Sequence, residues 1–207
     1  MLAADLYFDK IDLARYFTLE EAARAGAKDP ADLAALLKAG ELSPTALAFL
    51  PPGRRHALTI ALRPAEFLPQ VPSLELPRPV PPDLVELNDP GPDAPLLVTG
   101  NSEFTLTVMT ALLALTVSPL YLLLVECRGD TVDMAMVFRS FTPQRLDQGL
   151  TAHKLATRLK EKRLILPGVL APLKAELAAY TGWEIQVGPI CAAELPLFLG
   201  EAWQPPT

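Results

Sequence analysis

Three short turns carry the residue types best suited to hold a ligand: Thr99-Gly100-Asn101-Ser102, Pro167-Gly168 and Gly188-Pro189. Each follows a short apolar run and leads into a segment with helical patterning. Glycine lets backbone come close to a bound molecule. Thr, Asn and Ser add hydroxyl and amide groups beside the unpaired N–H groups of a helix start, a chemistry that suits phosphates and amides. The same residues also serve any strand-to-helix turn. None of the three spells GxGxxG or GxxxxGK[ST], so ordinary dinucleotide or nucleotide binding is not expected.

The remaining reactive groups are sparse. There are two histidines, His56 and His153, and two cysteines, Cys127 and Cys191. His153 sits with Lys154 and Arg158 on a charged face and reads as a solvated residue, so a two-histidine metal site is not expected. Cys127 follows an apolar run and Cys191 opens a helical one; both read as packed thiols. Two cysteines do not make a four-cysteine metal or iron-sulfur site, and they point to a reducing, cytoplasmic setting with no iron-sulfur cluster. Glu103 reads equally as a favourable first-turn charge or as a functional group, and Asp133 reads as a surface acid that could instead face the strand ends. No nucleophile, base and orienting acid assemble from this inventory.

Composition sets the frame for these residues. Of 207 residues, 50% are hydrophobic and 20% charged, with a net charge of -6. Such a chain folds, and without a basic stripe it has no general attraction for nucleic acid. The amino terminus MLAADLYFDKIDLARYF lacks a basic n-region followed by an apolar core, so it does not read as a secretory signal.

Four segments follow along the chain. Residues 1–62 predict a small, mainly helical module. Thr18-Leu19-Glu20-Glu21 has capping-box spacing, while Asp29-Pro30 and Ser43-Pro44 place a cap residue before a first-turn proline. HALTIALRPAEF (56–67) begins with strand-like alternation and reads either as an edge strand or as part of a fourth element. Residues 63–94 predict a Pro-rich linker, since ten of the 32 residues 64–95 are proline. Residues 95–200 alternate PLLVT, LYLLLVE, RLILP and WEIQVGP with helical segments, which predicts a Rossmann-like α/β domain: a parallel sheet with helices on both faces. Within it, Thr142-Pro143 starts a long amphipathic helix reaching about Lys162, and Gly182 stops the helix before the last strand. Residues 201–207 form a tail.

Residues 104–125 contain 22 consecutive residues without a formal charge, long enough to cross a membrane. Ser118-Pro119 lies inside the run and interrupts helical geometry there. The run therefore predicts a helix over 103 to about 116 and a buried strand over 120–126, with no membrane span.

PLLVTGNSEFTLTVMTA, RLILPGVLAPLKAELAAYTGWEIQVGP and AAELPLFL resemble the C-terminal corrinoid-binding domain of the large (gamma) subunit of the corrinoid iron-sulfur protein of acetyl-CoA synthesis. That domain is shared with the mercury-methylating corrinoid protein. The resemblance covers about residues 94–200 and implies a cobalamin-type cofactor, a corrinoid with its cobalt, held base-off and His-off. It maps the cap over the ring onto Thr99, Gly100, Asn101, Ser102, Phe104, Thr105, Leu106 and Thr107. It assigns the nucleotide tail to Pro167, Gly168, Gly188 and Pro189. It implies a methyl carrier or methyltransferase component of one-carbon metabolism, with a TIM-barrel methyltransferase or another subunit as partner. TAHKLA departs from the D-x-H-x-x-G ligand motif of His-on corrinoid proteins. The mercury-methylating relatives carry a cysteine in the cap helix, where this chain has Leu106 or a neighbour. The alternative is a cofactor-free assembly or binding subunit that keeps the fold, its pocket closed by side chains such as Glu103 and Met109. An enzyme acting on a nucleotide or small molecule is a third reading, which the missing glycine fingerprint disfavours.

Overall fold

A computed structural model describes residues 7–69 and 77–206. The expectations that fall on residues 1–6, 70–76 and 207 lie outside it. After two 3-10 turns, Phe8–Lys10 and Leu13–Tyr16, the chain forms α1 (Leu19–Arg24), α2 (Pro30–Ala39), α3 (Pro52–Leu62) and α4 (Pro64–Phe67). The predicted caps hold the first two helices. Thr18 Oγ1 accepts from Glu21 N at 3.2 Å while Thr18 N donates to Glu21 Oε2 at 2.9 Å. Asp29 Oδ1 accepts from the backbone N–H groups of Ala31 and Asp32. Ser43 opens only the 3-10 turn Pro44–Ala46.

The alternation in HALTIAL is helical. Ala57, Leu58, Ile60 and Ala61 are all buried, and spacings of three and four residues put them on one face of α3. Pro64 then starts α4, where its missing N–H costs nothing.

The Pro-rich stretch supplies β1 (Leu84–Leu87), and the strand-helix pattern then continues through β2 (Leu96–Gly100), α5 (Glu103–Leu113), β3 (Leu120–Val125), α6 (Val132–Val137), α7 (Pro143–Ala152), α8 (Leu155–Arg158), β4 (Arg163–Leu166), α9 (Lys174–Thr181), β5 (Glu184–Val187) and α10 (Leu195–Leu199). The strand order is β1-β3-β2-β4-β5. The four predicted strands are parallel, and β1 adds an antiparallel edge on β3, with Leu84 opposite Leu123. Pro81 and Pro82 precede this strand, and an edge position leaves it needing ladder bonds on one side only.

The uncharged run divides as its proline requires, with α5 ending at Leu113 and β3 beginning at Leu120. Among the described residues no helix is long and apolar enough to cross a membrane.

Period-two alternation sends the central strands' side chains to two cores. Leu97, Leu120, Leu122 and Leu124 face α5, α10 and the amino-terminal helices. Leu96, Val98, Tyr121, Leu123 and Val125 face α6 through α9. The amino-terminal helices thus cover one face of the sheet.

The long helix expected from Pro143 to Lys162 is two. It ends at Ala152, Lys154 takes a left-handed φ of 53°, and α8 follows. In one unbroken helix Leu155 would lie about 140° around the axis from Leu150. Both are buried in the same core, so the break serves burial. Pro172 likewise makes the segment after Pro167 begin as a 3-10 helix, Gly168–Leu173, with α9 proper starting at Lys174. Gly182 ends α9 at φ 70°, as its sequence position predicts.

Candidate functional site

β2 pairs with β3 on one side and β4 on the other, so the connections leave β2 in opposite directions. This reversal opens a crevice at the carboxyl ends of the strands, where helix amino termini and loops converge. A cavity of about 410 Å³ lies there, within the range of roughly 300–1,000 Å³ usual for small-molecule sites.

Leu97, Val98 and Thr99 of β2 and Ile165 and Leu166 of β4 line it, with Phe104, Thr105, Val108 and Met109 of α5 along one wall. Pro167, Gly188 and Pro189 come from the two later loops. The opposite wall is the segment 129–134, and Tyr7 reaches in from the amino-terminal segment. The polar groups are Thr99, Thr105, Asp130, Thr131, Asp133 and the Tyr7 hydroxyl.

The predicted residues divide by role. Thr99, Phe104, Thr105, Pro167, Gly188 and Pro189 line the cavity. Gly100 backs onto Cys127; a Cβ there would meet its Sγ at 3.5 Å and the Asp130 carbonyl at 3.3 Å. Asn101 is fully buried, and its side chain is engaged on both sides. Its Nδ2 donates to the Val80 carbonyl and to Glu126, and its Oδ1 accepts from Cys127 N and Gly129 N. Ser102 is buried, and among the described residues its Oγ has no hydrogen-bond partner. Leu106 packs on the core of the amino-terminal side, while Thr107 is exposed and donates within its own helix to the Glu103 carbonyl. Gly168 N donates to the Pro189 carbonyl at 2.9 Å, which binds the two later loops to each other.

Two of the glycines bring loops together. A Cβ on Gly168 would meet the Gly188 carbonyl and Ile190 at 2.8 Å, and one on Gly188 would meet Ile165 at 2.9 Å. Their bareness lets neighbouring loops approach one another, and the cavity is the space those loops then enclose.

Asp133 lines the cavity, so of its two readings the one facing the strand ends holds and the surface role, the favoured one, does not. The loop after β3 carries the same signal as the other three turns, since Gly129 follows a buried strand. Tyr7 carried no signal, being 126 residues from Asp133 in sequence.

Neither histidine and neither cysteine lines the cavity. His56 stands edge-on to Phe67 in the helical module, where burial lowers its pKa, and His153 lies 4.0 Å from Asp83. Cys127 is fully buried, and that burial pushes its thiol up to about 12, too high for a thiolate nucleophile or ligand. Glu103 is exposed and turned toward Arg78 at 3.5 Å, so it does not fill the pocket. Among the described residues no group of three or more metal-ligating side chains occurs.

The fold and the cavity define a doubly wound α/β domain with its crevice at the topological switch point. The chain belongs to the family of the CO dehydrogenase/acetyl-CoA synthase delta subunit, whose model matches residues 69–199. It is similar to the acetyl-CoA decarbonylase/synthase complex subunit gamma of Archaeoglobus fulgidus, at 30% identity over 128 residues covering 61% of this chain and 27% of that one. The Methanopyrus kandleri subunit of the same name is 28% identical over 123 residues, covering 59% and 27%. The corrinoid/iron-sulfur protein large subunit of Moorella thermoacetica is 31% identical over 115 residues, covering 56% and 26%. The chain spans about a quarter of the length of these relatives. The family match holds every predicted cavity residue; Tyr7 and helices α1–α4 lie before it.

Proposed function

We propose that this chain is a corrinoid-binding protein, holding its cofactor base-off and His-off, that serves as a methyl carrier or methyltransferase component in one-carbon metabolism. The observation that carries the reading is the switch-point cavity, whose lining, Tyr7 apart, falls in the residues that the family model matches.

The residues present fit such a group. Phe104, Val108, Met109, Ile165 and Leu195 offer an apolar wall, and Thr99, Thr105 and Thr131 offer hydroxyls for amide or phosphate substituents. A volume near 410 Å³ suits one arm or one edge of a corrinoid, with the rest across the rim. Pro167, Gly188 and Pro189 would hold the nucleotide arm, and Thr99, Phe104 and Thr105 would meet the macrocycle. A bound corrinoid supplies cobalt-centred methyl transfer. The protein's own part is to bind, to orient and to exclude water. With both histidines away from the cavity, no imidazole from this chain competes for the cobalt, which supports the His-off reading. With no cysteine in α5 and both cysteines buried, thiolate-assisted mercury methylation is not part of the proposal.

Beside the cavity, α6 and its end expose Met134, Val137 and Phe138, the last two at 71% and 60%. An apolar face next to a ligand site suits a protein partner, and a TIM-barrel methyltransferase or another subunit of a synthase complex is the partner proposed.

The test is reconstitution. Protein incubated with cobalamin under reducing conditions and then desalted retains a corrin absorption band matching that of bound cobinamide, which lacks the lower base. A folded but colourless protein overturns the reading and leaves the cofactor-free binding subunit in its place.

A further inference from the structure

Tyr7 and Asp133 meet at the rim of the cavity, and both line it. The Tyr7 hydroxyl donates to Asp133 Oδ2 at 3.4 Å, joining the amino-terminal segment to the first turn of α6 across 126 residues. Asp133 is held in place by a second bond, accepted from Thr131 Oγ1 at 2.5 Å, so one side of the contact is fixed.

The other side is held less firmly: Phe8 packs half-buried against the amino-terminal core, and its neighbours are exposed. The turn Phe8–Lys10 contains no buried residue, and Tyr7 before it is 37% exposed with a left-handed φ of 71°. Lys10 N closes the turn on the Tyr7 carbonyl, and the Lys10–Asp9 ion pair is local and exposed. Firm anchorage begins immediately afterwards, where Ile11 and Leu13 are 2% and 1% exposed. Among the described residues one long hydrogen bond fastens Tyr7, and a short segment held in this way opens at low cost.

We propose that residues 7–10 form a strap over the cavity, pivoting at Ile11, and that the Tyr7–Asp133 contact fastens it and sets the rate at which a ligand enters and leaves. The nature of the ligand rests on the corrinoid reading; the strap does not. Its tyrosine stands outside the segment matched by the family, so the device belongs to the part of this chain that precedes the shared domain.

The experiment uses a thiol on the cavity wall as a ligand-independent reporter. Val108 is 6% exposed and lines the cavity, whereas Cys127 and Cys191 are 0% and 1% exposed and give the background in protein that retains Val108. Maleimide labelling of Val108→Cys is expected to quicken roughly two- to tenfold when Tyr7→Phe is added, the range that one net hydrogen bond represents. Tyr7→Ala, which also removes the ring, quickens it at least as much. In an Asp133→Ala background, Tyr7→Phe should change nothing further. Equal labelling with and without Tyr7→Ala overturns the strap. So does a Tyr7→Phe effect that persists undiminished without Asp133. Cobinamide uptake and release by protein retaining Val108 should quicken in parallel. A protein that binds no corrinoid yet labels faster without Tyr7 loses the functional reading and keeps the strap; one that binds corrinoid with labelling unmoved keeps the function and loses the strap.

Discussion

Asn101 Oδ1 accepts the backbone N–H of Cys127 at 2.6 Å, while the same side chain's Nδ2 donates to the Val80 carbonyl at 2.8 Å. One amide thereby joins the end of β2, the Pro-rich connector and the loop after β3, three segments that together shape the cavity rim. Asn101→Ala leaves buried backbone groups unpaired and is expected to destabilise the fold by about 2–4 kcal/mol, since each such group costs about 1–3 kcal/mol. Urea unfolding monitored by circular dichroism measures it. A loss under about 0.5 kcal/mol would show the bonds to be replaceable by water.

Gly129 and Gly182 have nearly the same backbone, φ 77° and 70°, in different surroundings. A Cβ on Gly129 would lie 2.3 Å from Pro79 N and 2.6 Å from the Arg78 carbonyl carbon, whereas one on Gly182 meets nothing within 4 Å. Gly182→Ala should cost about 1–2 kcal/mol, the ordinary penalty of a left-handed alanine. Gly129→Ala pays that penalty and must also displace the connector, so its melting temperature falls further. Equal losses would mean that residues 78–79 are not held against this loop.

The Glu194 carboxyl joins the amino-terminal segment to the α/β domain, accepting from Tyr16 at 2.9 Å and pairing with Arg15 at 2.8 Å. Burial raises its pKa above the usual 4.5, and the Tyr16 hydrogen bond and the Arg15 charge only partly oppose that rise. The folded state therefore holds this proton more tightly than the unfolded chain. The resulting stabilisation is present in full below pH 4.5 and is lost as pH rises through the folded value. Glu194→Gln keeps an acceptor for Tyr16 and removes the titration. Compared with wild type, the variant should gain relative stability as pH climbs from 4.5, read as the difference in unfolding midpoint across a pH series. A constant difference would assign no net shift to this carboxyl.

Thr105 is half-buried on the cavity wall and makes no side-chain hydrogen bond among the described residues. Thr105→Trp puts a large ring into the space the ligand needs. It should abolish retention of colour after corrinoid reconstitution while moving the melting temperature by no more than a few degrees, because the ring enters cavity space and not packed core. Full retention of colour would place the corrinoid elsewhere.

Much of the fold was legible locally. Thr18, Asp29 and Gly182 mark helix ends because capping bonds and left-handed backbone are set by neighbours a few residues away. Pro119 divides the long uncharged run for the same reason. The turns at Thr99, Pro167 and Gly188 were recognisable as strand-end loops, and half of their residues reach the cavity. The role of Asn101 was not legible, because its four partners come from residues 80, 126, 127 and 129. Strand β1 was hidden by the prolines around it, and the break at Lys154 by a continuous amphipathic pattern whose last leucines need a new direction to be buried.

The sequence by itself determined the alternation of apolar strands and capped helices, the absence of a spanning helix in residues 104–125, and the turns where a ligand could sit; these depend on polarity and backbone preference within a few residues. Tertiary structure alone decided that β4 crosses to the far side of β2, that an antiparallel edge closes the sheet, and that Tyr7 reaches Asp133. Those outcomes follow from burying two faces of one sheet at once, a choice made among all the segments together, which no short stretch of residues encodes.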